Sequence, residues 1–457
     1  MALSNTLFKQ LLGVNKVIIE NIREEPDPSP NGAGWRLVID VRPYSRDRKR
    51  CPVCGRKCPG YDKPAKPRLW RCPDCNGIRT FLSYTPCRVR CPEHGAKQEA
   101  LPWAAPATAF TKDFTMLAAL MAMRLSRQAA AELMRIDWST AQACIDRARN
   151  MIEPDPRVRY EGLVHIGIDE TSYAKGHKYL TTVASHDTDT VVWAADGHDA
   201  ATLSSFFEEL TEEQRAGIKC VTADAAKWIK SCVEKYCPNA KLCLDAFHVI
   251  EWALDAVDEV RRSEWNALRD AAAAIESKLA ALPPGTPEEE RGKLADEMAR
   301  KKEAALKIKG VRFALGKNPE NLSFYQRQKL EYVVENSPAL TYAHKLKELV
   351  RLVFHAGSRD EAEDAFEEFS LVARISKLKP FEKLGESLRD HWESIMNTIE
   401  QGLSNARIEA NNNKIKLMIR KAFGFRVMEH LFSIIMLGCS NLRIPLPNRG
   451  GYGMKAF

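Results

Sequence analysis

The amino-acid sequence predicts an α/β protein of several domains, and three observations support this fold class. Between residues 161 and 250, short apolar runs alternate with amphipathic stretches, which is the pattern of alternating strands and helices. From about 253 to 400 almost every segment has charged, helical periodicity, broken at Pro283-Pro284-Gly285. Seven of the 13 cysteines lie between Cys51 and Cys91. We therefore expect an α/β unit that is interrupted by an all-helical block and preceded by a metal-binding segment.

The basic residues are concentrated in one part of the chain. It has 68 Lys and Arg against 60 Asp and Glu, a net charge of +8 over 457 residues. Residues 41–95 contain 14 basic and 4 acidic side chains, so their net charge is +10 and that of all other residues together is −2. A local basic excess favours an anionic partner, and nucleic acid is the leading candidate.

Composition excludes several other classes of protein. Charged residues make up 28% of the chain and its mean hydropathy is −0.35, values typical of a globular protein rather than a disordered or fibrous one. No stretch resembles a secretory signal or the roughly 18 apolar residues of a membrane span. An odd number of cysteines without a signal argues against a disulfide framework. We expect a reduced, cytoplasmic protein with no membrane partner.

The first 50 residues predict two strands. One lies at 17–19, and the other follows from the alternation of Trp35, Leu37, Ile39 and Val41. Residues 51–95 contain seven prolines and little apolar periodicity. Such a segment cannot bury a core of its own, so we expect a metal ion or another cross-link to stabilise it.

The cysteine segment has the spacing of zinc knuckles. Cys51-Pro-Val-Cys54 and Cys72-Pro-Asp-Cys75 are separated by 17 residues, and Cys91-Pro-Glu-His94 follows. With Cys58 and Cys87 there are eight ligands, enough for two complete tetrahedral sites of structural Zn²⁺, whose pairing spacing alone does not reveal. Free buried cysteines or a redox pair are the alternative, which the flanking prolines and glycines disfavour.

A metal-stapled segment would hold its basic side chains in a fixed array that suits phosphates. A solvated basic surface is the simpler alternative. The array consists of Arg46, Arg48, Lys49, Arg50, Arg56, Lys57, Arg68, Arg71, Arg88 and Arg90.

Residues 117–150 have the spacing of a helix-turn-helix. One helix is expected at 117–123, a second at 127–134 with Ser126 as its N-cap, and a third at 139–150 after a three-residue turn. The last helix of this motif enters the major groove, with Gln142, Arg147 and Arg149 among its polar positions. Ordinary helical hairpins have a similar pattern, but the preceding basic segment favours DNA binding.

Three apolar, strand-like runs each end in a carboxylate. Val164-His-Ile-Gly-Ile leads to Asp169 and Glu170, the run from 218 leads to Asp224, and the run from 241 leads to Asp245. Strand ends hold side chains rigidly, as metal-assisted phosphodiester chemistry requires. A single aspartate after a strand is usually a turn or helix cap, but three in one α/β unit make that reading less adequate.

A fourth acidic residue lies on a polar helical stripe. Read as a helix, Glu409, Asn413, Lys416 and Arg420 fall on one face. This arrangement suits a metal ligand beside a DNA backbone, and a solvated face with charge pairing is the alternative.

The sequence resembles the bacterial insertion-sequence transposases of the ISL-three family. The likeness covers about residues 45 to 440, and the order of the motifs is its most specific feature. The residues that carry it are Cys51-Pro-Val-Cys54, Arg88-Val-Arg-Cys91-Pro-Glu-His94-Gly95, Pro102-Trp103-Ala104, Phe110-Thr111, Ile168-Asp169-Glu170, Asp245-Ala-Phe247-His248-Val249, Ser404-Asn405 through Glu409, the run 411–416, and Arg420-Lys-Ala-Phe-Gly424-Phe-Arg426.

The resemblance implies a ribonuclease-H-like catalytic core with an Asp-Asp-Glu triad that binds Mg²⁺ (or Mn²⁺). Carried over by position, the triad is Asp169, Asp224 and Glu409. Asp245 is the rival for the second place, because it lies in the Asp-x-Phe-His motif. We prefer Asp224, since it ends the strand before the helix expected at 227–235, and we regard Asp245 and His248 as supporting groups.

The resemblance also implies an N-terminal zinc finger, but the extra cysteines depart from the family pattern. Our hypothesis is one zinc on Cys51, Cys54, Cys91 and His94. A second zinc would be bound by Cys58, Cys72, Cys75 and Cys87.

The implied activity is that of a DNA transposase that binds the terminal inverted repeats of an insertion sequence and performs metal-dependent strand cleavage and transfer. The partners would be double-stranded DNA, both ends and target, and further copies of the chain in a homodimer or larger assembly. The location would be bacterial, cytoplasmic and nucleoid-associated. Backbone contacts near the cut are assigned to Arg407, Lys414, Lys416 and Arg420.

We expect five segments that form four domains, and we keep two other functions open. The expected boundaries are 1–100 for zinc binding, 101–160 for the helix-turn-helix, 161–252 and 401–445 for the two parts of the core, and 253–400 for the helical insertion. A non-catalytic, sequence-specific DNA-binding regulator derived from a transposase is the main alternative. A zinc-stapled nuclease acting on RNA is the other.

Overall fold

A computed structural model describes residues 8–10, 12, 14, 16–29, 34–62, 66–403, 405–446 and 454, except for the side chains of 406 and 407. The contacts divide the chain into two compact units. The first unit comprises Met1–Glu161, Glu170–His198 and Glu409–Phe457, and the second comprises Gly162–Asp169 and Asp199–Ile408. No helix in the described ranges is long and apolar enough to cross a membrane.

Among the described residues, strands predominate in the first 100, and only helices follow from residue 246 onward. The elements up to residue 200 are β1 (Val17–Pro26), β2 (Trp35–Pro43), β3 (Arg68–Arg71), β4 (Thr80–Tyr84), β5 (Arg88–Cys91), β6 (Gly95–Gln98), α1 (Lys112–Arg124), α2 (Arg127–Met134), α3 (Trp138–Ile152), β7 (His165–Ala174), β8 (Lys178–Ser185) and β9 (Thr190–Asp196). The later elements are α4 (Ala200–Glu209), α5 (Glu212–Gly217), β10 (Cys220–Ala223), α6 (Lys227–Tyr236), β11 (Lys241–Leu244), α7 (Ala246–Ala280), α8 (Glu288–Gly310), α9 (Arg312–Gly316), α10 (Phe324–Asn336), α11 (Pro338–His355), α12 (Arg359–Ser376), α13 (Lys379–Asp390), α14 (Trp392–Gln401), α15 (Ala406–Lys421) and α16 (Met428–Cys439).

The N-terminal part of the first unit is a four-stranded sheet in the order β1-β2-β4-β3, with β5 and β6 forming a separate hairpin. β1 and β2 are antiparallel and β2 and β4 are parallel. The alternating apolar residues of β1 and β2 face a core that includes Ile39, Trp70, Leu82 and Trp103. The two strands expected from residues 17–19 and 35–41 are therefore present and longer than predicted.

The rest of the first unit is a helical core. α1, α3, α15 and α16 share this core with side chains from β8 and β9. Its apolar contacts include Ile145 of α3 and Ile435 of α16, both fully buried. α16 therefore covers one side of the helix-turn-helix.

The second unit contains the parallel strands. β10 pairs in parallel with the first residues of β7 and with β11, in the order β11-β10-β7. The helices α4, α5 and α6 connect these strands, as βαβ units require. The division between the two units falls between residues 169 and 170, within β7. The later part of β7 therefore lies in the first unit, which also contains the antiparallel pair β8 and β9.

The helical insertion of the second unit has its own hydrophobic core. α7 has 35 residues and α8 has 23, and the connection between them contains the predicted break at Pro283-Pro284-Gly285. Buried residues of α7, α11 and α12, among them Val257, Leu346 and Phe369, form this core. Leu244, the last residue of β11, belongs to the same core, so the insertion packs against the end of that strand.

Candidate functional site

Two equivalent turns hold the cysteine pairs of the metal centre. Gly55 has φ +67° and its N–H donates to the carbonyl of Cys51 at 3.0 Å. Gly95 has φ +68° and pairs with Cys91 at the end of the β5–β6 hairpin. Glycine is the residue that adopts positive φ without strain, so each chain reversal requires it.

Four donor atoms lie at the distances that a zinc ion requires. The ligand atoms of Cys51, Cys54, Cys91 and His94 are all within 4.8 Å of one another. The Sγ atoms of Cys54 and Cys91 are 3.7 Å apart, and His94 Nδ1 is 3.7 Å from Cys51 Sγ and 3.4 Å from Cys91 Sγ. Tetrahedral Zn²⁺ with ligands at about 2.0–2.3 Å has ligand–ligand separations of about 3.4–3.8 Å. The donor set fits structural zinc.

The structure does not bring together the four cysteines assigned to a second zinc site. Cys72 packs in the core of the N-terminal sheet, where burial raises the pKa of its thiol to about 12. Cys58 and Cys87 are buried beside Cys51, and Cys75 lies in a bridge with Ile78. Among the described residues these four form no metal cluster. A thiol that stays protonated in an apolar core is a poor metal ligand.

A buried carboxylate that the sequence analysis overlooked joins the segments around this centre. The side chain of Glu99 accepts hydrogen bonds from the N–H of Lys49 at 2.8 Å, the N–H of Cys87 at 2.9 Å and the hydroxyl of Tyr84 at 3.1 Å. The basic loop before Cys51 is thereby fixed to the strands. No local pattern indicates this role, because the partners are up to 50 residues away.

Most of the predicted basic array is exposed. Arg50 is half-buried and donates to the carbonyls of Arg46 and Gly55. Three of the exposed arginines have acidic partners, because Arg46 pairs with Asp47, Arg56 with Glu93 and Arg88 with Asp62. The exposed members assigned to DNA are Arg48, Lys49, Arg56, Arg88 and Arg90.

Arg71 is the exception in this array, because it is buried. It is 3% exposed, lies over the Phe114 ring at 4.7 Å, and its Nη1 donates to the carbonyl of Arg135 at 2.8 Å. Its Nη2 donates to Asp74 at 3.3 Å. Arg71 therefore links the N-terminal sheet to the turn of the helix-turn-helix instead of contacting a phosphate.

Replacing Arg71 by Met should loosen that turn. Loss of a buried, charge-assisted set of hydrogen bonds costs about 2–3 kcal/mol. Amide exchange at residues 135–137 should therefore accelerate by about 30- to 100-fold, which mass spectrometry of hydrogen–deuterium exchange would measure. Arg68→Met is the matched control on the same strand, since Arg68 is exposed and bonds the surface residue Gln98. Equal exchange in the two variants would contradict this role.

The helix-turn-helix forms at the predicted place. Ser126 accepts a hydrogen bond from the N–H of Ala129 at 3.2 Å and caps α2, as expected. Arg135 follows with φ +52°, which allows the turn into α3. α3 begins at Trp138, one residue earlier than expected, and Trp138 is 60% exposed.

The polar side chains of α3 that were assigned to the DNA groove are less exposed than expected. Gln142 is buried, 3% exposed, and donates to Asp146, so it does not present its amide to a groove. The physical reason is α16, whose His430 contacts Asp146 at 2.8 Å and covers this side of α3. Arg149 is half-buried and 3.6 Å from Glu153, and Arg147 is half-buried with its Nη2 3.5 Å from the carbonyl of Ala107.

Asp169 and Asp224 occupy equivalent positions on neighbouring parallel strands. Thr222 of β10 lies opposite Gly167 of β7, and each aspartate comes two residues later in the chain, Asp169 within β7 and Asp224 directly after β10. Alternate residues of a strand share one face, and neighbouring strands are about 4.8 Å apart. Continuing this register places the two carboxylates beside each other at the carboxyl end of β10, both half-buried.

Asp245 extends the same row but has a structural role as well. Ala223 lies opposite Leu244, and the N–H of Asp245 donates to the carbonyl of Ala223 at 3.0 Å. The Asp245 side chain accepts from the N–H of Phe247 at 3.2 Å and caps α7. His248 Nε2 is 3.9 Å from Asp245. Asp245 therefore lies beside the end of β10, and His248 lies beside Asp245.

The chain returns from the helical insertion to this row of strands before it reaches Glu409. In α14, the Thr398 hydroxyl donates to the carbonyl of Leu244 at 2.7 Å. The Thr222 hydroxyl then donates to Asn405, which is buried. Thr222 precedes Asp224 by two residues and Asn405 precedes Glu409 by four. The sequence analysis gave Asn405 no role, because its partner is 183 residues away.

α15 presents the predicted polar stripe to solvent. Its buried side includes Ile415 and Met418. Lys414 is exposed, and its Nζ lies 3.4 Å from Asn411 Oδ1. The side chain of Arg407 lies outside the described residues. The members of the stripe are Glu409, Asn413, Lys416 and Arg420, all exposed.

Two family models match the chain. The model described as transposase, for the DDE domain of the ISL3 family, matches residues 166–435. The model described as the helix-turn-helix domain of transposase family ISL3 matches residues 99–149. These matched ranges include Asp169, Asp224, Glu409, the helices α1 and α2, and most of α3.

Curated relatives match almost the whole chain. It is 40% identical over 445 residues to the transposase for insertion sequence element IS1557 of Mycobacterium tuberculosis, with 97% of each chain covered. It is 25% identical over 436 residues to the transposase for insertion sequence element IS1001 of Bordetella parapertussis, with 94% of this chain and 97% of that relative covered. Both the order of the motifs and these full-length similarities lead to one conclusion: the chain is a transposase that belongs to the ISL3 family.

Proposed function

We propose that the protein cleaves DNA at the ends of its own insertion sequence and joins those ends to target DNA. The observation that carries this proposal is the pair formed by Asp169 in β7 and Asp224 directly after the neighbouring parallel strand β10. Two carboxylates about one strand spacing apart suit divalent metal ions that are about 3.5–4 Å from each other.

Glu409 is the third acid of this site. Its support is its position four residues after Asn405, which binds the strand of Asp224, and its place on an exposed polar stripe. Asp169, Asp224 and Glu409 would hold Mg²⁺ or Mn²⁺, for which carboxylate oxygens are the preferred ligands. Bound metal would supply Lewis-acid activation of the scissile phosphate.

The core is proposed to be ribonuclease-H-like. Its support is the order of the elements: three strands, β7 to β9, then helices, β10, a helix and β11, with Asp169 in the first strand and Asp224 directly after the fourth. The helical insertion then separates these acids from Glu409. The five segments expected from the sequence, with their boundaries, remain part of this proposal.

The reaction has two phosphoryl-transfer steps. Water attacks the phosphodiester at the end of the element, and the bond to the 3′ oxygen breaks to leave a free 3′-hydroxyl. That hydroxyl then attacks a phosphate of the target strand, which forms one P–O bond and breaks another. Lys416 and Arg420 would contact the backbone beside the cut, and Lys414 and Arg407 are assigned the same role.

DNA-end binding is proposed for the zinc-stapled segment and the helix-turn-helix. The exposed Arg48, Lys49 and Arg90 near the zinc ligands suit phosphates, which Arg and Lys neutralise. At the start of α3, the exposed Trp138 and Ser139 are the side chains that can reach a groove. Two ends must be held together, so a homodimer or larger assembly on DNA is part of the proposal.

A labelled duplex that carries the terminal inverted repeat of the element tests this function. The wild-type chain should nick it in Mg²⁺ and not in EDTA. Glu409→Gln should lower the cleavage rate by at least about 100-fold, a loss of about 3 kcal/mol of barrier lowering, and leave end binding within about twofold. Glu429→Gln, an exposed glutamate in the first turn of α16, is the matched control. Specific binding without any Mg²⁺-dependent nicking would instead indicate a regulator.

A further inference from the structure

A second basic segment lies on the helical insertion. Residues 300–329 contain nine Lys and Arg against two Asp and Glu, a net charge of +7. The residues outside this segment and outside 41–95 therefore have a net charge of −9. We name residues 300–329, which span the end of α8, all of α9 and the start of α10, the insertion basic segment.

Most cations of this segment are not neutralised by the protein. Across the described residues, six of the nine have no carboxylate within ion-pair distance, whereas Lys302, Lys307 and Arg312 each have one. All six except Lys301 are exposed. They are Arg300, Lys301, Lys309, Lys317, Arg327 and Lys329.

Large aromatic side chains are exposed among these cations. Phe313 is 76% exposed, Phe324 70% and Tyr325 75%. The rings of Phe324 and Tyr325 are in edge contact at 5.8 Å. Three such exposed rings within one basic segment are unfavourable in water, so a partner that covers them is expected.

The end of α8 and the first part of α10 form a groove beside Tyr325. The groove has a volume of about 520 Å³, and its lining includes Leu306, Lys307, Tyr325, Lys329, Tyr332 and one acid, Glu303, which pairs with Lys307. Lys307 Nζ lies over the Tyr332 ring at 4.4 Å, and Lys329 Nζ is 3.4 Å from the carbonyl of Gly310. Cations and aromatic faces thus line the same concave surface.

We propose that the insertion basic segment is a second, sequence-independent binding site for duplex DNA, separate from the zinc segment and the helix-turn-helix. Its unpaired cations neutralise phosphates, and Phe313, Phe324 and Tyr325 pack against sugars and base edges. A second copy of the chain fits less well, because two surfaces of charge +7 repel each other. The choice of DNA among polyanions rests on the proposed function, since a transposase must hold target DNA as well as its own ends.

Salt-dependent binding of the full chain to a 30-base-pair duplex without element ends tests this site. The triple variant Lys309→Gln, Arg327→Gln, Lys329→Gln removes three unpaired charges. The slope of log affinity against log salt should fall by up to about 3, at about 0.9 for each lost phosphate contact. The control Lys293→Gln, Lys345→Gln, Arg359→Gln removes three exposed cations of the insertion that have acidic partners, and its slope should match wild type.

An independent variant tests the aromatic part of the proposal. Phe324→Ala should weaken duplex binding by about 5- to 10-fold, the size of one lost ring contact, with the salt slope unchanged. The site would be overturned by equal slopes for the two triple variants, or by tighter binding to single-stranded RNA than to this duplex. A changed oligomeric state of the first triple variant with unchanged DNA binding would also overturn it.

The proposed function and the second binding site can be contradicted independently of each other. End cleavage by the wild-type chain is measured in parallel. A wild-type chain that binds the duplex through this segment but does not cut element ends would contradict the proposed function alone. A chain that cuts its ends, with equal slopes for the two triple variants, would contradict only the second site.

Discussion

Asp169→Asn and Asp224→Asn should each abolish cleavage of element ends, with a fall in rate of at least about 1,000-fold, or about 4 kcal/mol of lost transition-state stabilisation. The reason is electrostatic: an amide keeps the shape of the carboxylate but not the charge that holds a divalent metal ion. Both side chains are half-buried, Asp169 within β7 and Asp224 directly after β10, and the substitutions change neither size nor shape, so they should not unfold the sheet. Nicking of a labelled end duplex in Mg²⁺, alongside its binding in Ca²⁺, measures the effect.

Asp245→Asn decides between the two candidates for the second acid. Asp245 caps α7, and asparagine caps helices about as well as aspartate, so this variant should remain folded. If Asp224 is the ligand, Asp245→Asn should retain cleavage within about tenfold of wild type, the size of effect expected for a neighbouring support. Loss of cleavage in Asp245→Asn together with normal cleavage in Asp224→Asn would show that the second acid is Asp245.

Local patterns were sufficient to predict the elements that deliver the acids. The alternation of apolar runs predicted β11 at 241–244 with its observed bounds, and an apolar run ending in an acid predicted the row of Asp169, Asp224 and Asp245. Such patterns report which face of an element is apolar. They do not report which distant segment covers a polar face, which is why the burial of Gln142 by α16 was not predicted.

The spacing of the cysteines was not sufficient to show which of them share a metal ion. The knuckle spacing identified eight metal-ligand candidates, but only the fold shows that Cys72 faces the core formed with Trp70 and Leu82. Asn405 and Glu99 act through partners far away in the chain, so no window of sequence contains their signal. The insertion basic segment could have been found by counting charge in a moving window over the helical block.

Removal of the zinc ion should abolish end binding. Structural zinc contributes about 10–16 kcal/mol to the folding of small domains, more than a segment with few core residues can replace. Cys54→Ser and Cys91→Ser should therefore lower the zinc content from about one ion per chain to none, by the four-ligand rule. Affinity for end DNA should fall by at least about 100-fold, because Arg90 and the loop of Lys49 lose their support. Elemental analysis and fluorescence anisotropy measure the two effects.

Cys75→Ser is the matched control, because Cys75 lies in the same segment but outside the cluster of four donors. It should keep both the zinc ion and the affinity for end DNA. A wild-type content near two ions per chain that falls to one in Cys75→Ser would restore the second site, and the fold around Cys72 would then have to differ from that described. Zinc content unchanged by Cys91→Ser would instead remove the first site, since Cys91 Sγ lies within 3.7 Å of the donor atoms of both Cys54 and His94.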